Sequence, residues 1–360
     1  FDPNNIAALI DKSKEESAAD ISKIDEVTQD QAKNFEISTG QNPQYSKRDL
    51  DAEFIFPKDH GAHPTFKTEW WYITANLTDT LGNPFGIQWT LFRSTLKESA
   101  EEEGWSSSQI WMGHSAVTTQ KNHFFTEKFA RGGVGQAGVN IKPFEAWIDD
   151  WAFTGDWKES YITASSDEFS YKMKLSTEKP LIFHGKAGVS QKSHDGAASF
   201  YYSQPFFKIE GDLEINDKNY KVSGNGWADR EWSNQFLSKN QTGWNWLALH
   251  LNDGSKIMVF EVRSANSNSF FSGTRIHKDG SSEPLNEKNF TLKPSALYKK
   301  DKTQPQLHWQ IEIPQESLRI NVKPINPNSF MDTIVPYWEG PISFTGTHSG
   351  VGYLEVTLDP

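Results

Sequence analysis

The pair Asp253-Gly254 constrains this chain more than any other stretch. It lies between two alternating runs, WNWLALHLN and SKIMVFEVR, and Asp-Gly in that setting predicts a β-hairpin with a two-residue type I′ loop. Counting outward from that loop, Leu251 faces Lys256, Leu249 faces Met258, Leu247 faces Phe260 and Asn245 faces Val262. The other face then pairs His250 with Ile257, Ala248 with Val259, Trp246 with Glu261 and Trp244 with Arg263. Side chains alternate with period two, so indole, carboxylate, guanidinium and imidazole are expected on one side. Such a face is either a surface where Trp244 stacks on Arg263, worth under about 1 kcal/mol when exposed, or the wall of a ligand cavity. The convergence of aromatics favours the wall.

The hairpin has a counterpart earlier in the chain. EWWYITANLTD (69–79) aligns with GWNWLALHLND (243–253), which sets Trp70 on Trp244, Tyr72 on Trp246, Asn76 on His250 and Asp79 on Asp253. Each copy is followed by an apolar run ending in arginine, Arg93 in the first and Arg263 in the second. The repeat predicts two related β-domains, residues 51–222 and 223–360. Sheets of this size must close or stack, so barrels and sandwiches are the options. In a barrel every second side chain points inward, and the aromatic-polar face is expected there.

The rest of the chain agrees with an all-β reading. From Phe54 onward, short alternating runs are punctuated by Gly, Pro, Asn and Asp. Residues 1–50 differ: they lack Trp and carry Ile6, Leu9, Ile10, Ile21, Ile24 and Val27 at loosely helical spacing, which predicts a short helical leader. At 360 residues, two domains are the natural expectation. A net charge of −11 argues against binding to nucleic acid. The absence of cysteine removes disulfides and thiolate metal sites. No apolar run is long enough for a transmembrane helix, and the oligomeric state is open. The chain begins at Phe1 rather than Met, which fits either a removed signal segment or a trimmed start.

The motifs FPKDHGAH (56–63), TEWWYIT (68–74), FGIQWTLFR (85–93), ASFYYSQP (198–205), GNGWADREW (224–232), GWNWLALHLNDG (243–254) and YWEGPISFTG (337–346) resemble the AttH-like family. That family includes carotenoid 1,2-hydratases and is similar to fungal pericyclic cyclases. The resemblance implies two tandem lipocalin-like antiparallel β-barrels, and it implies export, periplasmic or secreted. Hydratase members carry a His-x-Trp after the motif's Asp and a Tyr-x-Asp on a following strand. Here those positions are Arg230 and Trp232, then Val259 and Glu261.

The candidate catalytic residues are therefore Glu261, Asp229, Arg230 and Trp232. For Asp229-Arg230-Glu231 the competing reading is a salt-bridged corner, since buried charges must be paired. The candidate ligand-binding residues are Trp70, Tyr72, Arg93, His114, Trp244, Trp246, His250 and Arg263. Glu339 and Glu355 are spare acids, with barrel-closing packing as the favoured role. His60 and His63 lack a third ligand and no HExxH occurs, so no metal and no cofactor is expected. No GxSxG elbow marks a hydrolase serine. The expected partner is a lipophilic small molecule, isoprenoid or polyketide-like. It would be hydrated, isomerised or cyclised, or bound without chemistry by a carrier; a secreted hydrolase is a further alternative.

Overall fold

The computed structural model describes residues 53–96, 104–234, 237, 240–265, 268–297 and 305–358. The helical leader expected over residues 1–50 lies outside them. Glu53–Met331 and Tyr337–Pro360 form one compact unit, from which Asp332–Pro336 is excluded.

The described residues form two antiparallel sheets. The first opens with β1 (Thr68–Asp79), β2 (Pro84–Thr95), β3 (Gln109–Thr119) and β4 (His123–Arg131). It continues with the short strands β5 (Ala137–Ile141), β6 (Phe144–Ile148), β7 (Trp151–Gly155), β8 (Glu159–Ser165) and β9 (Phe169–Ser176). After β10 (Ile182–Phe183) and β11 (Val189–Gln191), the long pair β12 (Ala198–Ile215) and β13 (Lys218–Ser233) completes it. The second sheet begins with β14 (Gln241–Leu251), β15 (Lys256–Ser264), β16 (Phe270–Ile276), β17 (Ser282–Asn286) and β18 (Thr291–Pro294). It ends with β19 (Trp309–Ile313), β20 (Leu318–Pro324), β21 (Phe330–Met331), β22 (Tyr337–Gly346) and β23 (Gly350–Thr357).

The main strand orders are β4-β3-β2-β1-β13-β12-β9-β8-β7-β6-β5 and β17-β16-β15-β14-β23-β22-β20-β19-β18. The second repeats the connectivity of the first, with β14 standing for β1 and β23 for β13. Each sheet curls around its own core, as in tandem lipocalin-like barrels. Because β13 pairs with β1 and β12 along its length, the sheets change over between Ser233 and Gln241 rather than at residue 222.

The first barrel is filled by large rings. Trp71 and Trp111 stack at 5.9 Å, and Trp89 meets Phe153 at 6.2 Å. The second barrel holds Leu247, Leu249, Ile257, Val259, Ile311, Trp338 and Leu354. Both interiors are thus occupied by the protein's own side chains.

A third apolar layer lies between the two sheets. Tyr72, Tyr201 and Trp227 of the first sheet pack on Trp246, Ala248, Met258, Phe260 and Tyr353 of the second. The approach is close at Gly86, where an added Cβ would sit 2.6 Å from both Pro341 Cγ and the Tyr353 hydroxyl. Asn76 Nδ2 donates across the layer to the Gly352 carbonyl at 2.8 Å. Two face-packed sheets, each also lining a barrel, explain why these strands are buried on both sides.

The hairpin register differs from the sequence expectation by one residue. Leu251 N–H donates to the Ser255 carbonyl at 3.0 Å, so Asn252, Asp253 and Gly254 form a three-residue loop. Gly254 adopts φ 92°, the left-handed position of such loops. Asp253 Oδ1 accepts from Ser255 N–H at 2.9 Å and from its hydroxyl at 2.5 Å, which holds the longer turn. The pairs are therefore Trp246 with Phe260, Asn245 with Glu261, Trp244 with Val262 and Gly243 with Arg263. A slip of one residue moves Glu261 and Arg263 to the opposite face from Trp244 and Trp246. That aromatic face looks into the inter-sheet layer, not into a barrel lumen.

Candidate active site

The strands β1, β13, β14, β22 and β23 bring a chain of polar groups into the inter-sheet layer. Glu339 and Glu355 are direct cross-strand partners and share one face. Glu339 is 2 % exposed, and its Oε1 accepts a hydrogen bond from the Tyr72 hydroxyl of the first sheet. Its Oε2 has no hydrogen-bond partner. Burial pushes this carboxyl well above the usual range, the neighbouring Glu355 pushes it further, and the Tyr72 and Tyr337 hydroxyls pull the other way. Burial therefore favours the neutral form of Glu339, and its Oε2 is left without a hydrogen-bond partner.

Glu355 is partly accessible, and its Oε1 accepts from Trp244 Nε1 at 2.5 Å. Burial raises it to about 7 against that hydrogen bond. Tyr337 stands beside Glu339 and connects it to His114, whose Nδ1 lies 2.8 Å from the Tyr337 hydroxyl. Burial lowers His114 to about 3, so the imidazole is neutral. Trp70, Phe92 and Trp244 are only partly buried and edge this end of the layer.

A second acid occupies the equivalent place in the other repeat. Asp229 is the cross-strand partner of Tyr72, as Glu355 is of Trp246. Its carboxylate accepts from the Ser203 hydroxyl, from Trp227 Nε1 at 2.7 Å and from the Tyr201 hydroxyl at 3.0 Å. Burial still raises Asp229 to about 7, outweighing all three donors. Ser203 Oγ also lies 2.6 Å from His184 Nε2, and His184 Nδ1 lies 2.8 Å from Thr274 Oγ1. These are the residue types of a hydrolase triad in the wrong order. The serine stands between imidazole and carboxylate, and His184 is bonded to a threonine where a triad needs an acid.

The remaining sequence candidates fall elsewhere. Arg230 and Trp232 point to the opposite side of β13 from Asp229, into the first barrel. There Arg230 lies 3.8 Å above the Trp71 ring and 4.9 Å from that of Trp232. Its guanidinium pairs with Glu69, which also pairs with Arg93. Burial alone would raise Glu69, but two guanidiniums hold it far below the carboxylate range. Arg93 further donates to Gln109 Oε1 at 2.5 Å and to the His63 and Phe66 carbonyls at 2.9 and 2.6 Å. Arg230, Glu69 and Arg93 thus form a paired corner, but Asp229 and Glu231 take no part in it: Glu231 pairs instead with Lys192 at 2.9 Å. Trp232 stacks on His63 at 3.9 Å.

Glu261 accepts from Asn245 Nδ2 at 2.8 Å on the barrel face of the second sheet. Arg263 donates to Asn245 Oδ1 and to the Trp244 and Thr357 carbonyls at the strand ends. His250 faces the inter-sheet layer at the other end, 5.8 Å from the Trp227 ring. The structure thus gathers Trp70, Tyr72, His114, Trp244, Trp246 and Asp229 into the layer. Arg93, Arg230, Trp232, Glu261 and Arg263 lie outside it. Among the described residues no group of three or more His, Cys, Asp or Glu could hold a metal. None of their helices is long and apolar enough to cross a membrane.

A family model described as AttH-like matches residues 47–358. The chain is similar to the crystal structure of a Nitrosomonas europaea protein described as an AttH, with TM-score 0.74 and 26% identity, covering 85% of this chain and 97% of that one. It is also similar to kievitone hydratase from Nectria haematococca, with TM-score 0.63 and 13% identity over 88% and 96% of the two chains. A third likeness is to CghA bound to Sch210972, with TM-score 0.53 and 9% identity over 85% and 94%. At such identities the last two are likenesses of fold. No curated protein matches the chain.

Proposed function

The chain belongs to the AttH-like family, and from that premise we propose that it is a hydratase- or cyclase-type enzyme acting on an apolar, isoprenoid- or polyketide-like molecule. One observation carries this reading: Glu339 is a buried carboxyl whose burial favours its neutral form, with Oε2 lacking a hydrogen-bond partner. An isolated alkene is protonated only by an acid kept neutral and out of water, and burial supplies both conditions. The name of the fold-alike kievitone hydratase agrees with the addition of water.

In the proposed step, the alkene π pair takes the Glu339 proton and forms a C–H bond. The electron-deficient carbon left behind is held against the faces of nearby rings, Trp70, Tyr72 and Trp244, whose quadrupoles favour positive charge. Water then supplies a lone pair to form the C–O bond, and its proton returns to the Glu339 or Glu355 carboxylate. In the cyclase variant a second double bond of the same substrate supplies the pair, and the cation it leaves then loses a proton to the Glu339 or Glu355 carboxylate. Tyr72 orients Glu339 through Oε1 and leaves Oε2 as the donor.

The test is incubation of prenylated phenols and isoprenoid alkenes in deuterium oxide, read by mass spectrometry. Solvent deuterium on carbon in the wild type and none with Glu339→Gln supports the acid. Binding that is unchanged in E339Q, with no deuterium taken up by any compound bound, makes the protein a carrier.

A further inference from the structure

The hairpin end of the inter-sheet layer carries a second polar group with no part in the chemistry above. The Lys256 residue is only 7 % exposed, and among the described residues its ammonium has no ion pair; it lies 5.5 Å from the Phe206 ring. Its cross-strand partner is His250, 4 % exposed, whose Nδ1 has no hydrogen-bond partner. Across the layer stands Lys208, exposed, with Nζ donating to Asn225 Oδ1 at 2.8 Å. Lys208 and Asn76 are both cross-strand partners of Asn225, and Asn76 bonds into the second sheet, so this row faces Lys256 and His250.

Two ammonium groups and an orphaned imidazole nitrogen on one small patch are an arrangement that repels itself. Lys208 and Lys256 both act on His250, and Lys208 acts on Lys256. The carboxylate that acts on Lys256 is that of Asp253, and its Oδ1 is already committed to Ser255. A cation at the edge of an apolar layer, with no ion pair, attracts an incoming anion more strongly than one in bulk water. Asn225 gives its oxygen to Lys208, which leaves its amide hydrogens as further donors.

We propose that Lys256, Lys208 and His250 form a binding site for a small anion, a phosphate or a carboxylate group, at the hairpin end of the inter-sheet layer. Lys208 and Asn225 give the anion its route from solvent, and Lys256 supplies the second positive charge. Fully buried Ala248, Met258 and Trp227 separate this end from Glu339 and Glu355, so the proposal stands apart from the acid chemistry. Four residues of strand, Trp246 to His250, put about 13 Å between the two levels.

The experiment is thermal unfolding of the wild type and Lys256→Met in Tris chloride, with inorganic phosphate or hexanoate added. The Lys256 stem is packed and its ammonium has no ion pair among the described residues, so K256M is expected to be at least as stable as the wild type without anion. An anion that binds the folded state raises the melting temperature. A rise in the wild type with phosphate, with half-saturation at least about tenfold weaker in K256M, assigns a phosphate site; a rise with hexanoate alone assigns a carboxylate site. Equal responses in both proteins, or no response to either anion, overturn the proposal.

Discussion

Tyr72 and Trp246 meet edge to face across the two sheets, with ring centroids 5.3 Å apart and planes at 83°. They are also counterparts in the internal repeat, each opposite an acid on the strand that follows in its sheet: Asp229 for Tyr72, Glu355 for Trp246. The duplicated aromatic positions therefore face one another instead of lining two separate lumens.

Trp246→Ala should act first on stability. Trp246 is 8 % exposed within the inter-sheet core, and its Nε1 donates to the Tyr201 hydroxyl at 3.2 Å. Truncation of a buried tryptophan costs about 3–5 kcal/mol. Trp246→Phe, which mainly gives up the hydrogen bond, should cost about 1 kcal/mol. Equilibrium denaturation checks both values.

Glu339→Gln should remove a protonated-carboxyl band from the infrared spectrum at neutral pH, a band that survives in Glu261→Gln. Where a substrate has been found, E339Q should lower turnover by about 100-fold or more. A carboxylate band for Glu339 at pH 7 in the wild type would contradict the neutral acid.

Glu355→Gln should change how stability depends on pH. Burial lifts Glu355 from 4.5 to about 7, so the folded state holds the proton more tightly than the unfolded chain. Its contribution is complete below about 4.5 and is lost as pH rises through about 7. The glutamine variant should gain stability relative to the wild type between pH 5 and pH 8. The buried imidazoles His114 and His184, both lowered to about 3, act in the opposite sense, and the fold loses their contribution as pH falls below about 6.5. Melting curves of both proteins across that range isolate the carboxyl, because the imidazoles are common to both.

Glu69→Gln should cost about 3–5 kcal/mol, since it strands the buried guanidiniums of Arg93 and Arg230 without a counter-charge. Chemical denaturation measures the loss. A small effect would mean that the backbone carbonyls around the two arginines carry the corner alone.

The sequence reading reached the β-architecture, the repeat and the hairpin from alternation and turn chemistry. It missed the register because Asp-Gly serves two-residue and three-residue loops alike, and only the Leu251–Ser255 pairing separates them. That single step puts Glu261 on the same face as Trp246, while its choice as the acid rests on the family resemblance. Glu339 and Glu355 were visible as acids on closing strands. Their importance depends on Tyr72 and His114 arriving from β1 and β3, far from β22 and β23 in the chain, and no local pattern encodes that. Arg230 shows the same limit in reverse. Its neighbour Asp229 faces the layer while it faces the barrel, so one motif serves two unrelated tasks.

The proton donor and its supports are divided between the two halves of the chain. Glu339, Tyr337 and Glu355 come from the second sheet, and Tyr72 and His114 from the first. Neither half alone possesses a working set, although each has a full hydrophobic interior. The proposed chemistry would then belong to the seam between the two repeats. Substitutions in either copy are then judged by the other, which ties the drift of the two halves together from that point on.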